Sequence, residues 1–233
     1  MRIQTMSVVI GTKACNARCP FCVSRMTGFD TLPKTTAINE RNLKKAVLLA
    51  KAGGVTTVLF TGKGEPTLSP DEVTEYLRLL GGEFPTIELQ TNGLLMGKLE
   101  AGTGATGKLS LVMLKRWYAL GLDTIALSVV SVHAEGNRQV YLDGKGEYHD
   151  LTNLLAFLHG IGFQVRLCVM LQKGLVETPE AVADIIEWCR VRKVAQLTVR
   201  PIRSPAGGVD DGVSAYTREH GLSNGQVGVI YDL

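Results

Sequence analysis

Two kinds of segment are missing from this 233-residue sequence: an apolar run long enough to cross a membrane, and a leader of the secretory type. The start is polar and the first apolar stretch is too short for either, so we expect a cytoplasmic protein without a membrane partner. Charge of one sign is also scarce. A net charge of +3 is too small to indicate nucleic acid as a partner.

Cysteine is scarce as well, and three of the five cysteines, Cys15, Cys19 and Cys22, share one short loop. This distribution excludes a disulfide framework and suits a metal site in a reducing compartment. Cys168 and Cys189 lie apart from the loop and from each other, and each is typical of a small hydrophobic core residue.

The loop supplies three thiolates in C-x3-C-x2-C spacing, directly after an apolar segment at 6–11. Structural zinc sites and ordinary electron-transfer clusters take four protein ligands. Three thiolates therefore favour a cubane iron–sulfur cluster with one iron left open. The alternative is zinc, with a fourth ligand from Cys168, Cys189 or a histidine.

This spacing, with Phe21 just before the last cysteine, resembles the signature of the radical S-adenosylmethionine (SAM) superfamily. The resemblance implies that Cys15, Cys19 and Cys22 hold a [4Fe-4S] cluster, with SAM on its open iron and Phe21 close to the cofactor. It also implies a flavodoxin- or ferredoxin-like external reductant and cleavage of SAM to a 5′-deoxyadenosyl radical that takes hydrogen from a substrate. The lack of a second cysteine cluster argues against branches of the family with auxiliary clusters.

Apolar strands alternate with amphipathic helices along the rest of the chain. The pattern predicts strands at 6–11, 55–61, 86–91, 123–130, 163–171 and 196–202. It predicts helices at 39–53, 70–81, 108–120, 149–160 and 178–193. The alternation indicates an α/β fold with a parallel sheet, open or closed into a barrel. The family resemblance implies a partial (β/α)6 TIM-like barrel, with its chemistry at the C-terminal ends of the strands.

The second predicted strand ends in the run TGKGEPTL at 61–68. It resembles the family's Gly-Gly-Glu-Pro element, with Lys63 placed between Gly62 and Gly64. Glycines let a ligand approach the backbone, and a buried carboxylate at Glu65 needs a cationic or donor partner. The resemblance implies that this partner is the amino group of SAM. A tight turn with a surface glutamate is the alternative.

Polar residues also mark the next two strands. Thr91 and Asn92 end the third strand in a Thr-Asn-Gly run, which is frequent in this family and implies a position near SAM. A satisfied polar core with a turn at Asn92 is the alternative. Ser128 on the fourth strand resembles the position in the family that contacts the SAM ribose.

Two arginines follow on the fifth and sixth strands. Arg166 interrupts an apolar run, where an unpaired charge is costly. It either holds the SAM carboxylate or an acidic substrate group, or forms a structural pair with Glu88. Arg200, near the end of the sixth strand, is a candidate for the mouth of the active site.

The connection at 131–149 is long for a loop in an α/β unit, where about 2–6 residues is usual. It follows the fourth strand, so we expect it over the barrel mouth, with substrate-pocket candidates at His133, Asn137, Arg138 and Tyr141. The glycine-rich run at 102–109 approximates a phosphate-binding loop, but Leu109 replaces the required Ser or Thr. We interpret this run as a flexible loop between the third strand and the third helix.

The sequence predicts a core at 1–203 and a C-terminal extension at 204–233 that is minimal, incomplete or completed by a partner. The residues at 229–233 have the pattern of a strand. Cations at Lys63, Arg138, Arg166 and Arg200 favour a nucleotide or another anionic small molecule as substrate. An activase acting on a protein partner, a peptide-modifying enzyme and a non-catalytic zinc or iron–sulfur module are the alternatives.

Overall fold

The computed structural model describes residues 3–27, 37–103, 106–205 and 211–233. Its sheet consists of β1 (Thr5–Ile10), β2 (Thr57–Gly62), β3 (Thr86–Thr91), β4 (Thr124–Val129), β5 (Gln164–Leu171) and β6 (Gln196–Pro201). All neighbouring strands are parallel, and their spatial order follows the chain from β1 to β6. Within the described ranges the sheet is open between β1 and β6, which confirms the α/β fold and the partial barrel.

Helices connect the strands and cover the outer face of the sheet. They are α1 (Val23–Met26), α2 (Glu40–Ala52), α3 (Pro70–Leu80), α4 (Leu94–Ala101), α5 (Leu111–Ala119), α6 (Ala134–Tyr141), α7 (Leu151–Ile161), α8 (Pro179–Val191), α9 (Asp211–His220) and α10 (Asn224–Tyr231). Side chains at the helix starts cap several of them. Ser110, Asp150 and Thr178 each accept a backbone hydrogen bond at the start of α5, α7 and α8.

The strands bury one face against the helices and turn the other toward a concave interior. In β5, Val165, Leu167, Val169 and Leu171 are buried, whereas Arg166, Cys168 and Met170 between them are half-buried and Gln164 is exposed. Register then aligns Ser128 of β4 with Cys168, and Met170 with Arg200 of β6. The inner face is therefore lined by groups that can contact a polar ligand.

Two connections that the sequence analysis interpreted as loops contain a helix each. The connection at 131–149 includes α6, and a further helix, α4, separates β3 from the glycine-rich run. The side chain of Asn137, which is fully buried, holds the start of α6 by accepting from Val130 N and donating to the carbonyl of Ser131. α4 carries no amphipathic period, because its first residues are apolar and buried on all sides.

The predicted C-terminal strand is wrong, because the segment forms α10. Ser223 and Gln226 make a reciprocal capping box at its start, and Val227 and Ile230 are buried one turn apart. In the part of the chain that is described, no helix has the length and apolar character to span a membrane.

Candidate active site

A cavity of 420 Å³ lies at the C-terminal ends of the strands. It is lined by all three predicted metal ligands and by every predicted cofactor-binding residue except Arg166, namely Cys15, Cys19, Cys22, Phe21, Gly62, Lys63, Gly64, Glu65, Thr91, Asn92, Ser128 and Arg200. These residues come from five strand ends and are distant in sequence. The fold therefore brings the separate motifs to one place.

The three cysteines lie on the loop between β1 and α1, where Cys22 is the N-cap of α1. All three are free thiols. The sulfur of Cys15 accepts from the N–H of Ala17 at 3.4 Å and from Nδ2 of Asn92 at 3.7 Å. Burial raises the pKa of both Cys15 and Cys19, with the other loop thiols and Glu65 adding to the effect. Their thiolates therefore need a nearby positive centre.

The arrangement of these thiols fits an iron–sulfur cluster. In the described residues, no three His, Cys, Asp or Glu side chains converge closely enough to hold a single metal ion. In a cubane cluster each thiolate binds a different iron, so three thiols that line one cavity suit such a cluster. Cys168 and Cys189 do not line this cavity.

Glu65 is 4% exposed, so the alternative of a surface glutamate is excluded. Its Oε1 accepts from Thr67 N at 3.0 Å, Thr67 Oγ1 at 2.6 Å and Thr91 Oγ1 at 2.7 Å. Its Oε2 accepts from Asn92 N at 2.9 Å. The carboxylate thus joins the loop after β2 to the end of β3, and Oε2, with one donor, retains acceptor capacity.

Gly64 allows the loop after β2 to meet the cysteine loop. A Cβ at position 64 would lie 1.9 Å from the carbonyl oxygen of Ala14, which no side chain can tolerate. In the same contact Glu65 N donates to the carbonyl of Ala14 at 2.9 Å. From the sequence we expect the glycines of this loop to let a ligand approach the backbone. In the structure, Gly64 lets the loop after β2 approach the cysteine loop.

Asn92 connects β3 to the cysteine loop from the other side. Its Nδ2 donates to Oδ1 of Asn16 at 2.8 Å in addition to the contact with Cys15. Its Oδ1 accepts from Leu94 N at 3.0 Å and so holds the start of α4. The side chain is therefore fixed in position next to a predicted metal ligand.

Arg166 forms an ion pair with Glu88 through Nη2 and Oε1. The side chains are 17% and 7% exposed, and Arg166 does not line the cavity. Burial raises the pKa of Glu88, and the charge of Arg166 opposes that rise. Of the two predicted roles, the structure shows the structural pair.

Of the four pocket candidates on the connection after β4, only Tyr141 lines the cavity. His133 is exposed, and Arg138 pairs with Glu135 on the surface of α6. Asn137 holds the helix start, as described above. The cavity also contains residues that were not among the predicted site residues, including Thr61, Gln90, Met170, Ile202 and Arg203. Met170 could have been selected from the sequence, because the alternation of side chains in a strand places it on the same face of β5 as Arg166.

A family model described as the Radical SAM superfamily matches residues 9–189. A GTP 3′,8-cyclase of Aquifex aeolicus is 26% identical over 191 residues, which are 81% of this chain and 53% of the relative. One from Stenotrophomonas maltophilia is 24% identical, over 91% of this chain and 57% of the relative. The chain thus spans about half the length of the curated relatives it matches.

Among solved structures, methylornithine synthase (PylB) is similar with a TM-score of 0.64 and 14% identity, over 99% of this chain and 62% of that one. Streptococcus suis SuiB bound to S-adenosylmethionine is similar with a TM-score of 0.61 and 16% identity, over 88% and 42%. At these identities the likeness shows a shared fold.

Proposed function

Because the chain belongs to the radical SAM superfamily, we propose that it cleaves SAM reductively at the 420 Å³ cavity. It is an enzyme of that class, whose cofactors are a [4Fe-4S] cluster and SAM. When bound, they supply a 5′-deoxyadenosyl radical that removes a hydrogen atom from the substrate. The observation that carries the proposal is the meeting of all three loop thiols with the Gly-Lys-Gly-Glu loop in one cavity.

The three loop cysteines, in this proposal, hold the cluster, and the neighbouring loops orient SAM. Oε2 of Glu65 accepts from the amino group of SAM, since it keeps acceptor capacity on a carboxylate that is already fixed by four donors. Ser128 is within the same cavity for the ribose. Phe21 is 8% exposed and contributes an apolar wall that excludes water from the reacting atoms.

Cations in the cavity wall bind an anionic group. Lys63 lines the cavity from the loop after β2, Arg200 and Arg203 line it from the end of β6, and Arg200 is exposed on the inner face of that strand. A guanidinium matches a carboxylate or phosphate in two-point contacts. We therefore propose a nucleotide or another anionic small molecule as substrate, and the similarity to GTP 3′,8-cyclases supports a nucleotide.

A peptide is the second candidate substrate. The observation in its favour is the open side of the sheet between β1 and β6, where Val9 of β1 is 51% exposed on the inner face. An extended chain can reach the cavity from that side. The electron comes from an external flavodoxin- or ferredoxin-like protein in either case.

Anaerobic reconstitution with iron and sulfide, followed by reduction with dithionite and chromatography, tests the proposal. We expect 5′-deoxyadenosine only when cluster, reductant and SAM are all present. Cys22→Ala should abolish it, and Cys168→Ala should retain it as the matched control. Cleavage by Cys22→Ala, or tight zinc binding without iron uptake by the wild type, would contradict the proposal.

The substrate is tested in the same assay. GTP, other nucleoside triphosphates and a mixed peptide library are added separately, and the rate of 5′-deoxyadenosine formation is compared with the rate without substrate. A rise with a nucleotide supports the anionic substrate, and a rise with peptides alone selects the second candidate. Thermal shift with SAM present gives an independent measure of binding.

A further inference from the structure

Two tyrosines pack on Phe21 of the cysteine loop, each with its ring centroid 6.5 Å from that of Phe21. The hydroxyl of Tyr216 donates to Oε1 of Gln172 at 2.9 Å. The hydroxyl of Tyr141 is buried and has no hydrogen-bond partner among the described residues. Burying a hydroxyl without a partner is costly, so Tyr141 indicates an acceptor that the polypeptide itself does not supply.

Tyr141 is joined to the cysteine loop at Arg18, one residue from the predicted metal ligand Cys19. It is 2% exposed and lines the same cavity as Cys19. Its carbonyl accepts from the N–H of Arg18 at 2.9 Å, so the end of α6 is attached to the cysteine loop next to Cys19. Tyr148 stacks on Tyr141 with ring centroids 6.3 Å apart and restricts its ring.

A phenolic hydroxyl can donate a hydrogen bond as well as accept one. Among the described residues nothing accepts from the hydroxyl of Tyr141. The thiolate and sulfide sulfurs of a cluster held by Cys19 would be anionic acceptors in the cavity that Tyr141 lines.

On the basis of the proposed function, we propose that the Tyr141 hydroxyl donates a hydrogen bond to the cluster at Cys19, to the thiolate or the adjoining sulfide. Such a bond stabilises the reduced cluster, which is more negative, over the oxidised cluster, and so raises its reduction potential. Tyr141 is then a positioning residue that sets the potential at which the cluster accepts its electron.

A redox titration of the reconstituted cluster without SAM, followed by electron paramagnetic resonance, tests this assignment. Tyr141→Phe should have a more negative midpoint potential. At the wild-type midpoint its ratio of reduced to oxidised cluster should fall about threefold, the size expected for one neutral hydrogen bond. Tyr216→Phe is the matched control and should keep the wild-type potential, because its hydroxyl is bonded to Gln172.

Replacement of Tyr141 by 3-fluorotyrosine provides a second variant that keeps the ring. Fluorine makes the hydroxyl a stronger donor, so the potential should move in the opposite direction. If Tyr141→Phe does not load a cluster, the potential of the 3-fluorotyrosine variant alone tests the assignment. A wild-type reduction potential in every variant that loads a cluster would overturn it. A rise in the KM for SAM or substrate would not rescue the assignment, because the hydroxyl would then contact that ligand instead of the cluster.

These results separate the inference from the proposed function. A wild-type protein that takes up no iron–sulfur cluster contradicts both. A wild-type protein that loads a cluster and forms 5′-deoxyadenosine, together with unshifted variants, contradicts only the role of Tyr141.

Discussion

The two sides of the cavity differ in how the protein holds them. On the side of β1 to β3, the cysteine loop, the loop after β2 and the end of β3 are joined by hydrogen bonds through Glu65, Asn92 and the close contact of Gly64. On the side of β5 and β6, Met170 and Arg200 line the cavity from separate strands, and Arg200 is exposed.

This difference is what we expect if one side of the cavity holds the cofactors and the other side binds the substrate. Rigid loops suit cofactors whose reacting atoms must be held in one geometry. An open, cationic wall suits a substrate that enters and leaves. Variants on the two sides should therefore have different consequences.

Gly64→Ala tests the contact between the loops on the cofactor side. The new Cβ would overlap the carbonyl oxygen of Ala14 at 1.9 Å, so the two loops must separate. We expect loss of most of the bound iron and a fall of about 10²-fold in 5′-deoxyadenosine formation. Gly160→Ala in α7, with nothing within 4 Å of the new Cβ, should keep both values.

Arg166→Met tests the ion pair between Arg166 and Glu88. It leaves the buried carboxylate of Glu88 without its partner, which typically costs about 3–5 kcal/mol of stability. Urea unfolding measures the loss. Combining it with Glu88→Leu should restore most of the stability, because no buried charge remains. If the single variant is as stable as the wild type, the pair is not structural.

Glu65→Gln tests the hydrogen-bond junction of the cofactor side. The amide cannot accept from all the donors of Thr67, Thr91 and Asn92, so we expect a loss of about 1–3 kcal/mol together with weaker SAM binding. Glu75→Gln on the surface of α3 is the control and should change stability by less than about 0.5 kcal/mol. Unchanged SAM affinity would exclude Glu65 as a SAM ligand.

Arg200→Gln tests the open side and should have the smallest effect on the fold. Cleavage of SAM without substrate should remain at the wild-type rate, whereas the KM for an anionic substrate should rise about tenfold, as for the loss of one charge-assisted hydrogen bond. Steady-state kinetics with and without substrate measure both values. An equal loss in both assays would place Arg200 at SAM instead.

Much of this architecture was accessible from the sequence. Six strands follow from apolar runs separated by capped helices, and the cysteine loop from its spacing. The helix α4 was missed because a short, fully apolar segment carries little amphipathic pattern. The helix α6 was missed because it is short and mostly polar, and its start depends on the buried side chain of Asn137.

The partners of polar side chains were harder to predict. Glu65 was expected to meet SAM, but its carboxylate also receives donors from Thr91 and Asn92, which are far away in sequence. Arg166 had two possible roles until the parallel register placed Glu88 within reach. Such pairings depend on tertiary contacts, which a single sequence does not contain.

The most direct test of the central claim is the electron paramagnetic resonance spectrum of the reduced, reconstituted protein before and after addition of SAM. If three cysteines hold the cluster and leave one iron open, SAM should change the spectrum, and the Cys168→Ala/Cys189→Ala double variant should respond in the same way. A spectrum that SAM does not change, or a cluster that is lost with Cys168 or Cys189, would contradict the account.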